Sequence, residues 1–117
     1  MGESLLTGVP ASGRITVEAD GVGRVLRLSG EIDAAAVAVF GEQQPGGGLE
    51  ADPEAPLITA VDLSGVTFLS SAGLSFLIRA TRRSRQAGQL PALRGLARQP
   101  RQVMQITGVT GMFCSAA

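Results

Sequence analysis

The sequence predicts an α/β domain: a mixed four-stranded β-sheet with about three helices, in the order β-β-α-β-α-β-α. Three observations carry this expectation. Two short alternating stretches around a Gly-rich turn, at residues 14–19 and 24–29, read as an antiparallel hairpin. Residues 57–63 (LITAVDL) form a nearly continuous apolar run, which suits a central strand covered on both faces. Helical segments then alternate with strand-length segments, which implies parallel pairing through right-handed crossovers. A chain of 117 residues, 44% of them hydrophobic, makes one domain with one core.

The elements follow in order. Residues 1–12 are expected to be a loose N-terminal tail, 13–113 the domain, and 114–117 a C-terminal tail. In the first strand Ile15, Val17 and Ala19 share one face, and Thr16 and Glu18 the other. Asp20-Gly21-Val22-Gly23 makes the turn, and Leu26 and Leu28 point inward on the second strand. Gly30 is expected to break that strand. Asp33 is placed to cap an Ala-rich helix from Ala34 to about Gln43. Pro45 and Gly46-Gly47-Gly48 stop the helix, and residues 42–56 read as an acidic, Gly- and Pro-rich loop.

After the apolar strand, residues 64–69 read as a link. A helix is expected from about Ser71 to Gln86, stopped by Gly88. Its core stripe is Leu74, Leu77, Ile78 and Thr81, and Ser75, Arg79, Arg82, Arg83 and Gln86 face the other way. Residues 90–96 read as the fourth strand, at an edge or starting late because Pro91 cannot donate to a ladder. Residues 100–106 read as the last helix, with Pro100 in its first turn, and Met112 and Phe113 as a docking point for the chain end.

Composition excludes several kinds of chemistry. There is no His, which removes His-based triads, His acid–base work and most zinc sites. The one Cys, Cys114, can make neither an internal disulfide nor a Cys-rich metal site. No nucleophile–base pair and no ligand cluster stands out, so a non-enzyme without cofactors is expected. Four Phe without Trp or Tyr, and a net charge of zero, argue against nucleic-acid binding. No apolar run approaches membrane-spanning length and no basic-then-apolar leader opens the chain, so a cytoplasmic protein without membrane insertion is expected.

The charge is segregated along the chain. All ten acids and three of the ten Arg lie in residues 1–62, a net −7, while residues 63–117 carry seven Arg and no acid, a net +7. If the halves do not interleave, opposed faces would steer a protein partner. Arg79, Arg82, Arg83 and Arg85 read first as a solvated helix face and second as a partner surface. Asp62 reads as a turn-former for local backbone N–H groups.

The stretch VDLSGVTFLSSAGL at residues 61–74 resembles the signature of the STAS family. LSGEID at residues 28–33 is similar to that family's strand-to-first-helix segment, and ITGV at 106–109 to the end of its last helix. The resemblance covers about residues 14–113 and implies a small sheet flanked by helices. It also implies a function, because bacterial single-domain members are mostly anti-sigma factor antagonists. Such a protein binds an anti-sigma factor serine kinase until the kinase phosphorylates it. The position matching the acceptor is Ser71, with Ser70 as the alternative. Ser70 and Ala72 stand where many antagonists have Asp and Ser or Thr. Asp33, Gly30, Ser70, Ser71, Gly73, Ser75 and Arg79 are the partner-binding residues the resemblance implies, with Gly73 leaving room for close approach.

Other readings stay open beside this one. Ser71 and Asp33 could be helix caps alone. A constitutive STAS scaffold or adaptor, in a signalling complex or as the partner of a lipid transporter, would need no phosphate. Oligomeric state is not readable from the residues.

Overall fold

The structure is a computed structural model and describes residues 12–44 and 52–115. The expected N-terminal tail apart from Ser12, the middle of the acidic loop, and residues 116–117 lie outside the described residues. Among the described residues, five strands make one sheet in sequential order. They are β1 (Arg14–Ala19), β2 (Arg24–Ile32), β3 (Ile58–Leu69), β4 (Ala92–Arg94) and β5 (Cys114–Ser115). β1 runs antiparallel to β2, and the other neighbours are parallel. The four expected strands are thus present in a mixed sheet, with a two-residue fifth at its far edge. That fifth strand takes in Cys114 and Ser115, the first two residues of the expected C-terminal tail. Phe113 is buried, which returns the chain to the sheet, and the Cys114 N–H donates to the Pro91 carbonyl at 2.9 Å.

Two boundaries also differ, for one shared reason. Gly30 does not break β2. It adopts φ 76, a left-handed conformation that glycine takes without strain, and the strand continues to Ile32 with register shifts on either side. β3 therefore keeps a partner as far as Leu69, and residues 64–69, expected as a link, are strand. The fourth strand does start late, after Pro91.

The helices are α1 (Ala34–Gln43), α2 (Ser71–Ala80), α3 (Arg82–Gln86) and α4 (Arg98–Ile106), followed by a 3₁₀ turn over Val109–Met112. The single helix expected over 71–86 breaks at Thr81. The buried Thr81 hydroxyl donates to the Leu77 carbonyl at 2.7 Å, a back-bond that bends helices. Beyond the break, the buried Ser84 hydroxyl donates to the Ile58 carbonyl at 2.6 Å. The half-buried Arg83 donates to the Pro53 and Ala55 carbonyls at 2.9 and 2.8 Å, so it pins the loop before β3 and does more than line a solvated helix face. α4 starts two residues before Pro100, which then falls where a helical N–H has no intrahelical acceptor.

Leu26, Leu28 and Ile32 of β2, Val61, Leu63, Val66 and Leu69 of β3, and Leu74, Phe76 and Leu77 of α2 build the core. Each such side chain contributes about 1.5–3 kcal/mol on burial. Phe40 of α1 meets Phe76 edge-on, with centroids 5.4 Å apart, and joins α1 to α2. Arg14, Thr16, Glu18, Arg27, Ser29 and Ser64 stay exposed on the strands, so the sheet presents a polar face away from this core. Among the described residues no helix is long and apolar enough to cross a membrane.

Candidate functional site

β2 and β3 are adjacent and parallel, with Ile32 opposite Leu69 at their C-terminal ends. The helices that follow, α1 and α2, therefore start side by side. Asp33 caps α1, its Oδ1 accepting from the Ala36 N–H at 3.0 Å. Ser70 caps α2, its Oγ accepting from the Gly73 N–H at 3.1 Å. The Ser70 N–H in turn donates to the Ile32 carbonyl at 2.9 Å. Asp33 and Ser70 thus come together at one end of the domain.

Ser71 is the first residue of α2 and is exposed. Because Ser70 carries the cap, the Ser71 hydroxyl has no hydrogen-bond partner among the described residues. Ser75 and Arg79 follow at i+4 and i+8, both exposed, so the three share one stripe of α2.

The two glycines do different work from the expected partner contact. Gly73 is buried, and a Cβ there would lie 2.4 Å from the Ile32 carbonyl oxygen and 2.9 Å from Ile32 Cγ2 and Leu69 Cδ1. Its missing side chain lets α2 close onto β2, and it is not open to a partner. Gly30 is half-buried and shapes the bulge in β2, with the Ser12 carbonyl oxygen 2.5 Å from where a Cβ would stand.

Sequence reasoning missed two neighbours of this end. Gln99 of α4 holds both backbone groups of Leu69: its Oε1 accepts from the Leu69 N–H at 2.8 Å, and its Nε2 donates to the Leu69 carbonyl at 3.1 Å. A side-chain amide thus completes the strand end just before Ser70, a contact 30 residues away that no local pattern announces. Phe68, two residues before the cap, is 43% exposed and lies opposite Glu31 in the ladder. Apolar exposure there was invisible while residues 64–69 read as a link. Glu31 itself accepts from the Ser12 hydroxyl at 2.7 Å.

The sheet's polar face holds a second cluster. The register sets Thr16, Arg27, Asp62 and Arg94 in one row across four strands. Arg27 bonds Asp62 at 3.0 Å and Glu18 at 3.2 Å. Asp62 also accepts from the Ser64 hydroxyl at 2.6 Å and the Ser64 N–H at 3.0 Å. It does bond local backbone as expected, but from within β3, not at a strand end. The Ser64 hydroxyl and N–H, with Arg27 and Arg94 behind them, hold its carboxyl below the usual carboxylate range against the opposing effect of burial. Among the described residues no group of three or more His, Cys, Asp or Glu is placed to hold a metal ion, and Cys114 is an exposed free thiol.

No curated protein matches the chain. A family model described as "Mlab, STAS domain" matches residues 15–114, from β1 into β5 and across both helix starts. That match spans most of the chain, on a fold with the mixed sheet and flanking helices the motifs implied: the chain belongs to the STAS domain family.

Proposed function

We propose that this chain is a non-catalytic protein-binding switch of the anti-sigma factor antagonist kind. Unphosphorylated, it sequesters an anti-sigma factor serine kinase in the cytoplasm. Phosphorylation of Ser71 releases it. The observation that carries this reading is the division of labour at the start of α2, where Ser70 holds the cap and leaves the exposed Ser71 hydroxyl uncommitted.

The physics of the position supports a switch. A phosphate on the first helical residue meets free N–H groups and the positive end of the helix dipole, so the fold can carry it. It adds about −1.5 to −2 charge at pH 7 beside the acidic Glu31 and Asp33. A partner packed on this end would then face uncompensated negative charge. The exposed Phe68, three residues before Ser71, suits an apolar anchor for that partner, and Ser75 and Arg79 are exposed further along α2. Ser70 replaces the Asp of many antagonists as a cap of similar strength without its charge. The reading invokes no cofactor, nucleic acid or membrane insertion.

The test is phosphosite mapping by intact mass after incubation with ATP and a candidate anti-sigma kinase, with Ser71→Ala as control. One phosphate on the wild type, absent from Ser71→Ala, supports the switch. Stable binding to an active kinase without phosphate transfer rejects it.

A second reading is a constitutive STAS adaptor, in a signalling complex or as the partner of a lipid transporter. The family description that names Mlab, with Ser70 and Ala72 around Ser71, favours it. Partner binding by an adaptor would be unchanged in Ser71→Glu, whereas the switch would lose it.

A further inference from the structure

Among the described residues, β1 is the outer strand of the sheet, with β2 as its one neighbour in the strand order. The Asp20 N–H donates to the Gly23 carbonyl at 3.0 Å and closes the hairpin. Bonded and non-bonded pairs alternate along an antiparallel ladder. From that turn, Glu18↔Val25, Thr16↔Arg27 and Arg14↔Ser29 are bonded pairs. The backbone N–H and C=O groups of Ile15 and Val17 therefore point away from β2. Among the described residues nothing pairs with them.

Such a row is a template for another strand, and proteins usually blunt it with Pro, Lys, a bulge or an inward charge. β1 (RITVEA) has no Pro, Lys or bulge and keeps unbroken register with β2, and its two charged side chains, Arg14 and Glu18, are of opposite sign. Beside it runs an open groove of about 490 Å³ between β1 and α1, lined in part by Ile15, Ala36, Val39 and Phe40, so an added strand has room.

We propose that a second copy of this chain occupies this edge, β1 against β1, antiparallel about a two-fold axis at Thr16. The charges of β1 choose the occupant and the register. With Thr16 opposite its own copy, Arg14 faces Glu18 of the second copy, and the symmetric pair repeats at the other end. Ile15 faces Val17 on the core side, so apolar meets apolar and charge meets opposite charge. A shift by one residue would set Ile15 against Glu18. Glu18 is 54% exposed and already bonds Arg27, and its carboxylate has acceptor capacity for a second guanidinium. The contact is isologous and closes at two copies. It joins the two sheets into one and leaves Ser71, beyond the far end of β3, outside the pairing.

Light scattering across a concentration series, on the full chain, tests this. The wild type is expected to reach dimer mass. Arg14→Glu and Glu18→Arg each set like charges across both ends and are expected to weaken dimerisation about ten-fold or more. Mixing the two variants restores opposite charges at both ends and is expected to restore the dimer. Thr16→Cys in a Cys114→Ser background is expected to form an intermolecular disulfide, because a non-bonded antiparallel pair brings Cα atoms to about 4.5 Å. A wild type that stays monomeric overturns the proposal. So do single variants that dimerise as the wild type does, a mixture that fails to recover, or a Thr16→Cys chain that does not cross-link.

Discussion

The Ser70 N–H donates to the Ile32 carbonyl at 2.9 Å, and this bond ties the start of α2 to the residue before Asp33. Two helix caps are thereby held one strand spacing apart. The same approach requires Gly73, whose absent Cβ leaves space for that carbonyl. The site at Ser71 is thus a consequence of how the ends of β2 and β3 are joined.

Ser70→Ala removes the acceptor for the Gly73 N–H and is expected to cost about 1 kcal/mol of stability. Ser70→Asp keeps a cap and adds negative charge at a helix N-terminus, so it should match the wild type within about 0.5 kcal/mol or exceed it. Ser71→Ala should be close to neutral for folding. Urea unfolding of the three variants decides, and a larger loss in Ser71→Ala than in Ser70→Ala would refute the assignment of the cap.

Two Gly→Ala substitutions in helices should have opposite signs. Gly73→Ala gains helix propensity but drives a Cβ to 2.4 Å from the Ile32 carbonyl oxygen, and a net loss of about 1–3 kcal/mol is expected. Gly41→Ala in α1 meets nothing within 4 Å among the described residues and should stabilise by about 0.5–1 kcal/mol. Thermal unfolding reads both. Equal shifts would mean that α2 can back away from β2 at little cost.

The pattern of residues made this fold readable wherever the signal was local. The alternation of Ile15 and Val17, the apolar run into Leu63 and the cap at Asp33 each announced their element. What was not readable came from partners distant in sequence. Gly30 looked like a strand breaker because its bulge makes sense only once β3 lies alongside. Residues 64–69 looked like a link for the same reason. Thr81 sat on the expected core stripe of one helix, yet its back-bond to Leu77 ends that helix. At the site, the motif located Ser70 and Ser71 but did not say which of them caps. Gly73 looked like an open approach because helix periodicity alone does not reveal that β2 passes so close.

Gln99→Ala leaves the Leu69 N–H and C=O, at a 1% exposed residue, without their side-chain partner. A loss of about 1–3 kcal/mol is expected. Gln99→Glu keeps an acceptor for the N–H and loses the donor to the carbonyl, so it should fall between. Amide exchange at Leu69 should quicken in Gln99→Ala and less in Gln99→Glu, which keeps the acceptor. Unchanged protection there would show that α4 does not hold the end of β3.

Asp62 gives the sheet face a pH dependence whose sign follows from its depressed pKa. A carboxyl held lower in the folded than in the unfolded chain stabilises above its unfolded value, about 3.9, and loses that contribution as pH falls through the folded value. The Ser64 hydroxyl is the largest cause of the depression, followed by the Ser64 N–H, with Arg27 and Arg94 smaller. Ser64→Ala keeps the Cβ that packs on Gly95 and deletes only the hydroxyl. The Asp62 midpoint, followed by carboxyl NMR, should therefore rise in Ser64→Ala, and rise less in Arg27→Gln. Ser64→Ala should be less stable than the wild type at neutral pH, and the gap should narrow once acid has protonated Asp62 in both proteins. A gap that stays constant across the titration would mean that the hydroxyl acts on something other than the ionised carboxylate.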